Sequence, residues 1–264
     1  MNGQRGRGRD AAGRGPSRAT GSGTPRGGKN RGGKSPGGKS TAGKAAGSKA
    51  SSAKAQRSAP SAEPPIPPGI LRLGAIPGAT PGKWIDTWQE RMPRHPLELV
   101  PLDVAAQADA LRAGDVDAAI VRLPLAGDDL HVIPLYEERP VVVCASDSHL
   151  TAVDELTAAD LAGEVLIHAL DDVLGFTAPE TARPRFDPPA TTEDAIGVVA
   201  AGVGIVVVPM SLARLHQRKD VAARPLRDGP TSRVALAWVA DRTDPLIETF
   251  VGIVRGRSAR SSRG

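Results

Sequence analysis

Before Ile66 the chain contains no Val, Ile, Leu, Phe, Trp or Tyr, and Met1 and scattered alanines are its only apolar residues. Ordering a chain costs roughly 1–2 kcal/mol of backbone entropy per residue, which burial of apolar side chains must offset. A segment without such side chains is predicted to stay disordered. Residues 1–68 are therefore read as a tail, and this decides how a motif inside it is read. "GKSPGGKST" (33–41) places Gly33, Gly38, Lys39 and Ser40 at the spacing of a phosphate-cradling P-loop, and Gly28, Gly33, Lys34 and Ser35 repeat the spacing. That loop binds phosphate only when a buried strand delivers it and an apolar helix follows. Neither can form here, so the spacing does not indicate a nucleotide site.

The glycines belong to a repeat in which Lys29, Lys34, Lys39, Lys44, Lys49 and Lys54 recur every five residues. This period fits neither a helix face nor a strand face, so the charges spread around the chain. Residues 1–68 carry 14 Lys and Arg against Asp10 and Glu63, a net charge of +12, and "RGRSARSSRG" (255–264) adds four arginines without an acid. Residues 69–254 are left with 16 basic and 27 acidic side chains, a net of −11, within a chain whose total is +5. A cationic tail of this kind can neutralise nucleic-acid phosphates without reading sequence, because nothing rigid presents side chains to base edges. It can equally serve as a solvated linker or screen its own acidic domain.

The remaining sequence sets further bounds. Residues 69–254 are long enough for one domain or two small lobes. Cys144 is the single cysteine, within "PVVVCA", and is read as a buried, inert thiol. No apolar run is long enough to span a membrane, and no hydrophobic segment follows the basic N-terminus as in a secretion signal. A cytoplasmic location is the expectation. The five histidines, 95, 131, 149, 168 and 216, show no metal-ligand spacing. "SDSH" (146–149) is not a nucleophile elbow. No catalytic residue, metal or cofactor is implied.

Periodicity predicts an α/β domain. "ILRLGAI" (70–76), "LELVPL", "DAAIV" (ending at Arg122), "HVIPLYEE", "PVVVCA", "EVLIHA", "IVVVP", "VAARPL" and "RVALAWV" read as strands. Between them, Thr80 and Pro81 open a helix as N-cap and first helical residue, and Trp84, Trp88 and Met92 form its core-facing stripe. "VAAQADALRAG" is an amphipathic helix closed by Gly114, "TAADLAG" is a short helix, Thr192 caps the helix of "TTEDAIGVVAAG", and "DPLIETFVGIV" is a closing helix. Strands alternating with helices in this way predict a mainly parallel sheet. The Gly202–Gly204 pair follows a helix and precedes a strand, the reverse of a dinucleotide-binding turn.

"LRLGAI" with its polar turn, "ALRAGDVDAAIVR", "LYEERPVVVCASDSHL", "LTAADLAGEVLI" and "VVAAGVGIVVVPMS" occur in an order that resembles the effector-binding domain of LysR-type transcriptional regulators from Leu71 to Val254. The resemblance implies a two-lobed, type 2 periplasmic-binding-protein-like fold over 69–254. Lobe 1 would comprise about 69–142 plus 230–254, and lobe 2 about 143–229, with crossovers near Pro140–Ala145 and Arg224–Val234 and a small effector in the cleft. The family's N-terminal winged helix-turn-helix is expected to be absent, since residues 1–68 cannot form its helices. The stretch between Ile167 and Thr191 is shorter and richer in proline than the family's helix there.

Ligands of open α/β sheets bind beyond the carboxyl ends of the strands, where helix N-termini also point. Gly78, Ala79 and Thr80 follow the first strand, and Thr191 and Thr192 open the helix of the second lobe. Arg122 ends the third strand, where the resemblance implies a carboxylate-binding residue. Together they predict an electropositive pocket for a small organic anion, most simply a carboxylate. Capping is the simpler reading of each threonine taken singly, and a surface salt bridge is the alternative for Arg122. The expected function is a non-enzymatic small-molecule sensor in transcription regulation, acting through the basic tail, a homodimer or a partner protein. The alternatives are a non-specific nucleic-acid-associated protein working through its tail, or an enzyme on the same fold.

If the tail contacts DNA, the logarithm of affinity for duplex DNA falls linearly with the logarithm of salt concentration, at about −0.9 per phosphate neutralised. Deleting residues 1–65 should then abolish binding, because the remaining domain is acidic. A gel-shift salt titration of both forms checks this, and equal binding by the truncated chain would refute it.

Overall fold

Alternating apolar residues in "LRLGA" put Leu71 and Leu73 on a buried face and make β1 (Leu71–Ala75) the first strand of a sheet. The computed structural model describes residues 66–242 and 244–256. The disordered tail, its lysine period and the absence of a helix-turn-helix were read from residues that lie outside that range, except for 66–68. Ile66 packs against the first core cluster, and a ring nitrogen of His95 lies 3.2 Å from the Pro67 carbonyl oxygen.

After β1 come α1 (Gly82–Arg91), β2 (Leu97–Pro101), a short 3-10 turn (Val104–Ala106) leading into α2 (Gln107–Ala113), β3 (Ala118–Arg122) and β4 (Leu130–Glu138). The chain then enters β5 (Pro140–Ala145), two 3-10 turns, α3 (Thr192–Ala200), β6 (Val206–Pro209), α4 (Met210–Leu215) and β7 (Val221–Pro225). It returns through β8 (Ser232–Val239) and closes with α5 (Pro245–Val254). The first sheet has the order β2-β1-β3-β8-β4 and the second β6-β5-β7. The chain passes from one sheet to the other at Arg139, and back across residues 226–231.

The expectation of a mainly parallel sheet is corrected. Only the β2-β1-β3 half of the first sheet is parallel; β8 runs antiparallel to both β3 and β4, and the second sheet is antiparallel throughout. The reason is topological: β8 enters the first sheet from the other lobe, so no helical crossover fixes its direction. "EVLIHA" is likewise not a strand. It makes two isolated parallel bridges, Val165↔Ala182 and Leu166↔Ile205. Its neighbour cannot extend the ladder because Pro179 and Pro184 flank Ala182 and lack the N–H groups a ladder needs. Between residues 168 and 190 there is no helix.

Two helix starts shift by one residue. Pro81, not Thr80, is the N-cap of α1, without a side-chain cap. Thr191, not Thr192, caps α3, accepting the Asp194 N–H at 3.1 Å. Other termini follow the sequence rules. Gly114 ends α2 with φ of 81°, a left-handed conformation that glycine adopts without strain, and Asp244 caps α5 by accepting the Leu246 N–H at 2.7 Å.

Helices cover both faces of the first sheet. Trp88 of α1 is fully buried against α5, meeting Phe250 edge-on with ring centroids 6.0 Å apart, and its indole N–H donates to the His95 carbonyl at 2.7 Å. Trp84 and Met92 pack partly buried against the same cluster, as the helical stripe requires. Leu111 of α2 fills the opposite face with Val116, Val121 and Ala235. Each such side chain contributes about 1.5–3 kcal/mol relative to exposure. The second sheet is covered by α3 and α4 on one face, and by Leu150, Leu156, Leu161 and Phe176 on the other.

Candidate functional site

A cavity of about 710 Å³ opens between the turn after β1, the end of β4 and α4. One wall is the turn after β1, with Gly78, Ala79 and Thr80; the floor is Tyr136–Arg139, where β4 ends and the chain crosses; the opposite wall is α4, with Met210, Ser211, Arg214 and Leu215. The glycine is required. Gly78 has φ of 82°, and a Cβ there would lie 2.6 Å from Ser211 Oγ, so it lets the two lobes approach. Ser211 Oγ is buried and has no hydrogen-bond partner. A buried hydroxyl left unpaired costs about 1–3 kcal/mol, and a ligand group in the cavity can recover this.

Charge converges on the same space. Arg139 and Arg214 are exposed at its edge, and neither forms an ion pair among the described residues. Glu137 is also exposed. Burial pushes the Tyr136 phenol above its ordinary pKa; the Glu138 charge adds to this and Arg122 opposes it. Tyr136 therefore stays a neutral hydrogen-bonding group at any physiological pH.

Arg122 is not at the surface of this cavity. It is 3% exposed, and its Nη1 donates to Glu138 Oε2 at 2.7 Å and to the Ser232 hydroxyl. Glu138, not Arg122, lines the cavity. The backbone of Arg122 is pinned as firmly: its N–H donates to Gln107 Oε1 and its carbonyl accepts from Gln107 Nε2, both at 2.8 Å. The alternative reading of Arg122 as a surface salt bridge is corrected: its ion pair with Glu138 is buried. Thr191 and Thr192 do not line the cavity. Thr191 caps α3 and also donates to Asp194 Oδ2, while buried Thr192 donates to Asp171 Oδ1 at 2.8 Å. Of the six residues predicted as a site, the structure gathers Gly78, Ala79 and Thr80, sets Arg122 behind the floor, and leaves the two threonines elsewhere.

Sequence reasoning missed Glu138, Arg139, Ser211, Arg214 and Ser232. The run "EER" (137–139) directly before the buried "PVVVCA", and "PMSLAR" directly after "IVVV", were the available signals. Charged or hydroxyl residues stand there where a strand meets a lobe boundary.

A family model described as the LysR substrate binding domain matches residues 67–259. The chain belongs to this LysR family. It is 26% identical over 202 residues to the Hca operon transcriptional activator HcaR of Escherichia coli, covering 72% of this chain and 68% of that protein. It is 29% identical over 168 residues to the transcriptional regulator CatR of Pseudomonas putida, covering 60% and 57%. Among solved structures, the reduced OxyR regulatory domain from Pseudomonas aeruginosa matches with a TM-score of 0.56 at 26% identity, over 71% of this chain and 97% of that one. The BenM effector-binding domain with its effector benzoate matches with a TM-score of 0.58 at 21% identity, over 74% and 95%. The two-lobed, type 2 periplasmic-binding-protein-like fold is thereby established for this LysR domain.

The one cysteine of this LysR chain argues against thiol chemistry. Cys144 is fully buried in β5, its Sγ lies 3.7 Å from the Ala222 carbonyl, and burial pushes its pKa up. A reactive thiol needs the opposite environment.

The Gly78–Ser211 approach can be weighed by substitution. Gly78→Ala should cost about 1–3 kcal/mol in urea unfolding, from a strained positive φ plus a steric clash. Gly163→Ala is the control, since Gly163 has φ of 80° but nothing within 4 Å of an added Cβ. Equal losses in the two variants would show that contact between the lobes at Gly78 has no weight.

Proposed function

We propose that this LysR domain senses a small organic anion, most simply a carboxylate, in the cavity between its lobes, and that the occupied state is read out in transcription regulation. The observation that carries the reading is one convergence. An unpartnered, buried Ser211 hydroxyl, the Gly78–Thr80 turn and the unpaired guanidinium groups of Arg139 and Arg214 all meet one cavity. Guanidinium groups and hydroxyl donors favour carboxylates, which accept several charge-assisted hydrogen bonds. The relatives named above as an activator and a regulator support a role in transcription.

In this reading the domain is not an enzyme. Among the described residues no group of three or more His, Cys, Asp or Glu is placed to hold a metal. No described helix is long and apolar enough to cross a membrane. We place the protein in the cytoplasm, acting as a homodimer or through a partner protein. The basic tail, with Lys29, Lys34, Lys39, Lys44, Lys49 and Lys54, supplies non-specific affinity for nucleic acid.

A thermal-shift series on the full chain tests the reading, using acetate, benzoate, succinate and citrate against equal ionic strength of sodium chloride. At several times its Kd, a bound carboxylate should raise Tm by about 2–4 °C. Because Arg214 is exposed, Arg214→Gln should weaken that ligand by about 1 kcal/mol, roughly fivefold, and more at low salt than at high salt. If no anion shifts Tm, or if Arg214→Gln responds like the wild type, the cavity does not bind as proposed.

A further inference from the structure

A second cavity, of about 690 Å³, is built entirely from the segment between β5 and α3 and shares no lining residue with the first. Two backbone hydrogen bonds shape it. The Leu166 N–H donates to the Ala182 carbonyl at 3.0 Å, and the Leu170 N–H donates to the Pro189 carbonyl at 2.9 Å. Between these tethers the first stretch has three residues (167–169) and the second has six (183–188), so the longer one bows outward and leaves space. Pro184 and Pro188 stiffen the bow, because the proline ring fixes φ. On the shorter stretch, His168 lines the cavity. Its Nδ1 lies 3.1 Å from Asp172 Oδ2, while Asp172 Oδ1 accepts the Leu174 and Gly175 N–H groups at 2.8 and 3.3 Å. A carboxylate has no hydrogen to give, so in the neutral ring Nδ1 carries the hydrogen and Nε2 keeps its lone pair. Nε2 has no partner among the described residues. The bow contributes the exposed Phe186 ring and the Arg183 guanidinium, which is also without a partner among the described residues.

We infer that this cavity binds a small phenol, whose O–H donates to His168 Nε2 while its ring packs on Phe186 and the prolines of the bow. The class follows from what the lining residues can accept. A lone pair held in place by Asp172 calls for a hydrogen-bond donor, which a carboxylate or an ether does not supply. The Phe186 ring favours an aromatic partner, edge-on or offset, over an aliphatic one of equal size. A cation such as Arg183 favours the electron-rich face of the same ring. A mostly apolar lining with a few polar groups, in a volume of this order, suits a ligand of one ring. The inference is independent of the anion-sensing reading, because phenol carries no carboxylate. In this arrangement the domain takes two chemically distinct ligands at two separate cavities.

Saturation-transfer NMR on the full chain tests this, with phenol as the probe in buffer of about pH 8, above the range in which histidine ordinarily titrates. Phenol should bind with a Kd on the order of 1 mM, within the efficiency expected of so small a ligand. Anisole keeps the ring but has no O–H, and cyclohexanol keeps the O–H but has no aromatic face. Each should bind at least about threefold more weakly than phenol. His168→Leu and Phe186→Ala should each weaken phenol by at least about threefold as well. Both side chains are 41% exposed, so the fold tolerates their loss. Asp172→Asn is the sharper variant. Its amide oxygen can keep the Leu174 and Gly175 N–H groups and turn its NH2 to Nδ1, which moves the ring hydrogen to Nε2. The preference for phenol over anisole should then fall to about one, since Nε2 no longer accepts. A chain that gives no transfer to phenol overturns the inference, as does equal binding of phenol and either control. Unchanged phenol affinity in His168→Leu or Phe186→Ala overturns it too, because the phenol then sits elsewhere. An Asp172→Asn variant that keeps the full preference for phenol is equally contrary.

Discussion

The buried Arg122–Glu138 ion pair ties the end of β3 to the end of β4, directly before the chain crosses to the second sheet. Breaking a buried pair by removing one partner typically costs about 3–5 kcal/mol, because it strands a charge away from water. Here the pair does more than balance charge. Arg122 sits at the end of β3, Gln107 clamps its backbone on both sides, and its side chain reaches β4 and β8 where each meets a crossing segment. One side chain thus registers the parallel half of the first sheet against both links to the second. A pair replaced by apolar residues can be as stable.

Packed cores cover both faces of each sheet. The cavity walls come from segments that each sheet offers at its end: the turn after β1 on one side, and α4, which begins directly after β6, on the other. Gly78 brings the first wall close to Ser211 without a side chain in the way.

Much of this was legible from residues alone, for identifiable reasons. β1, β3, β5 and β6 are short apolar runs whose burial leaves no alternative, and Gly114 and Asp244 mark helix ends by local backbone chemistry. The Gly78–Thr80 turn was legible because a polar turn after a buried strand has few other roles. What could not be read was long-range. Glu138 lies 16 residues from Arg122 and Ser232 lies 110 away, and no local pattern couples them. Arg122 ended a strand as expected, but its partner was taken to be a ligand because the chain's own carboxylate could not be placed. Thr192 was read as the cap, but Thr191 accepts the Asp194 N–H while Thr192 turns to donate to Asp171. "EVLIHA" has strand composition, yet its pairing depends on a proline-flanked neighbour, which composition does not report.

The most direct measurement is a crystal structure of the chain grown with the carboxylate that stabilises it most. The ligand should lie between the Gly78–Thr80 turn and α4, with its carboxylate within hydrogen-bond reach of Ser211 Oγ and of the Arg139 or Arg214 guanidinium. A carboxylate bound outside this cavity, or inside it without contact to Ser211, Arg139 or Arg214, would contradict the proposed sensing site.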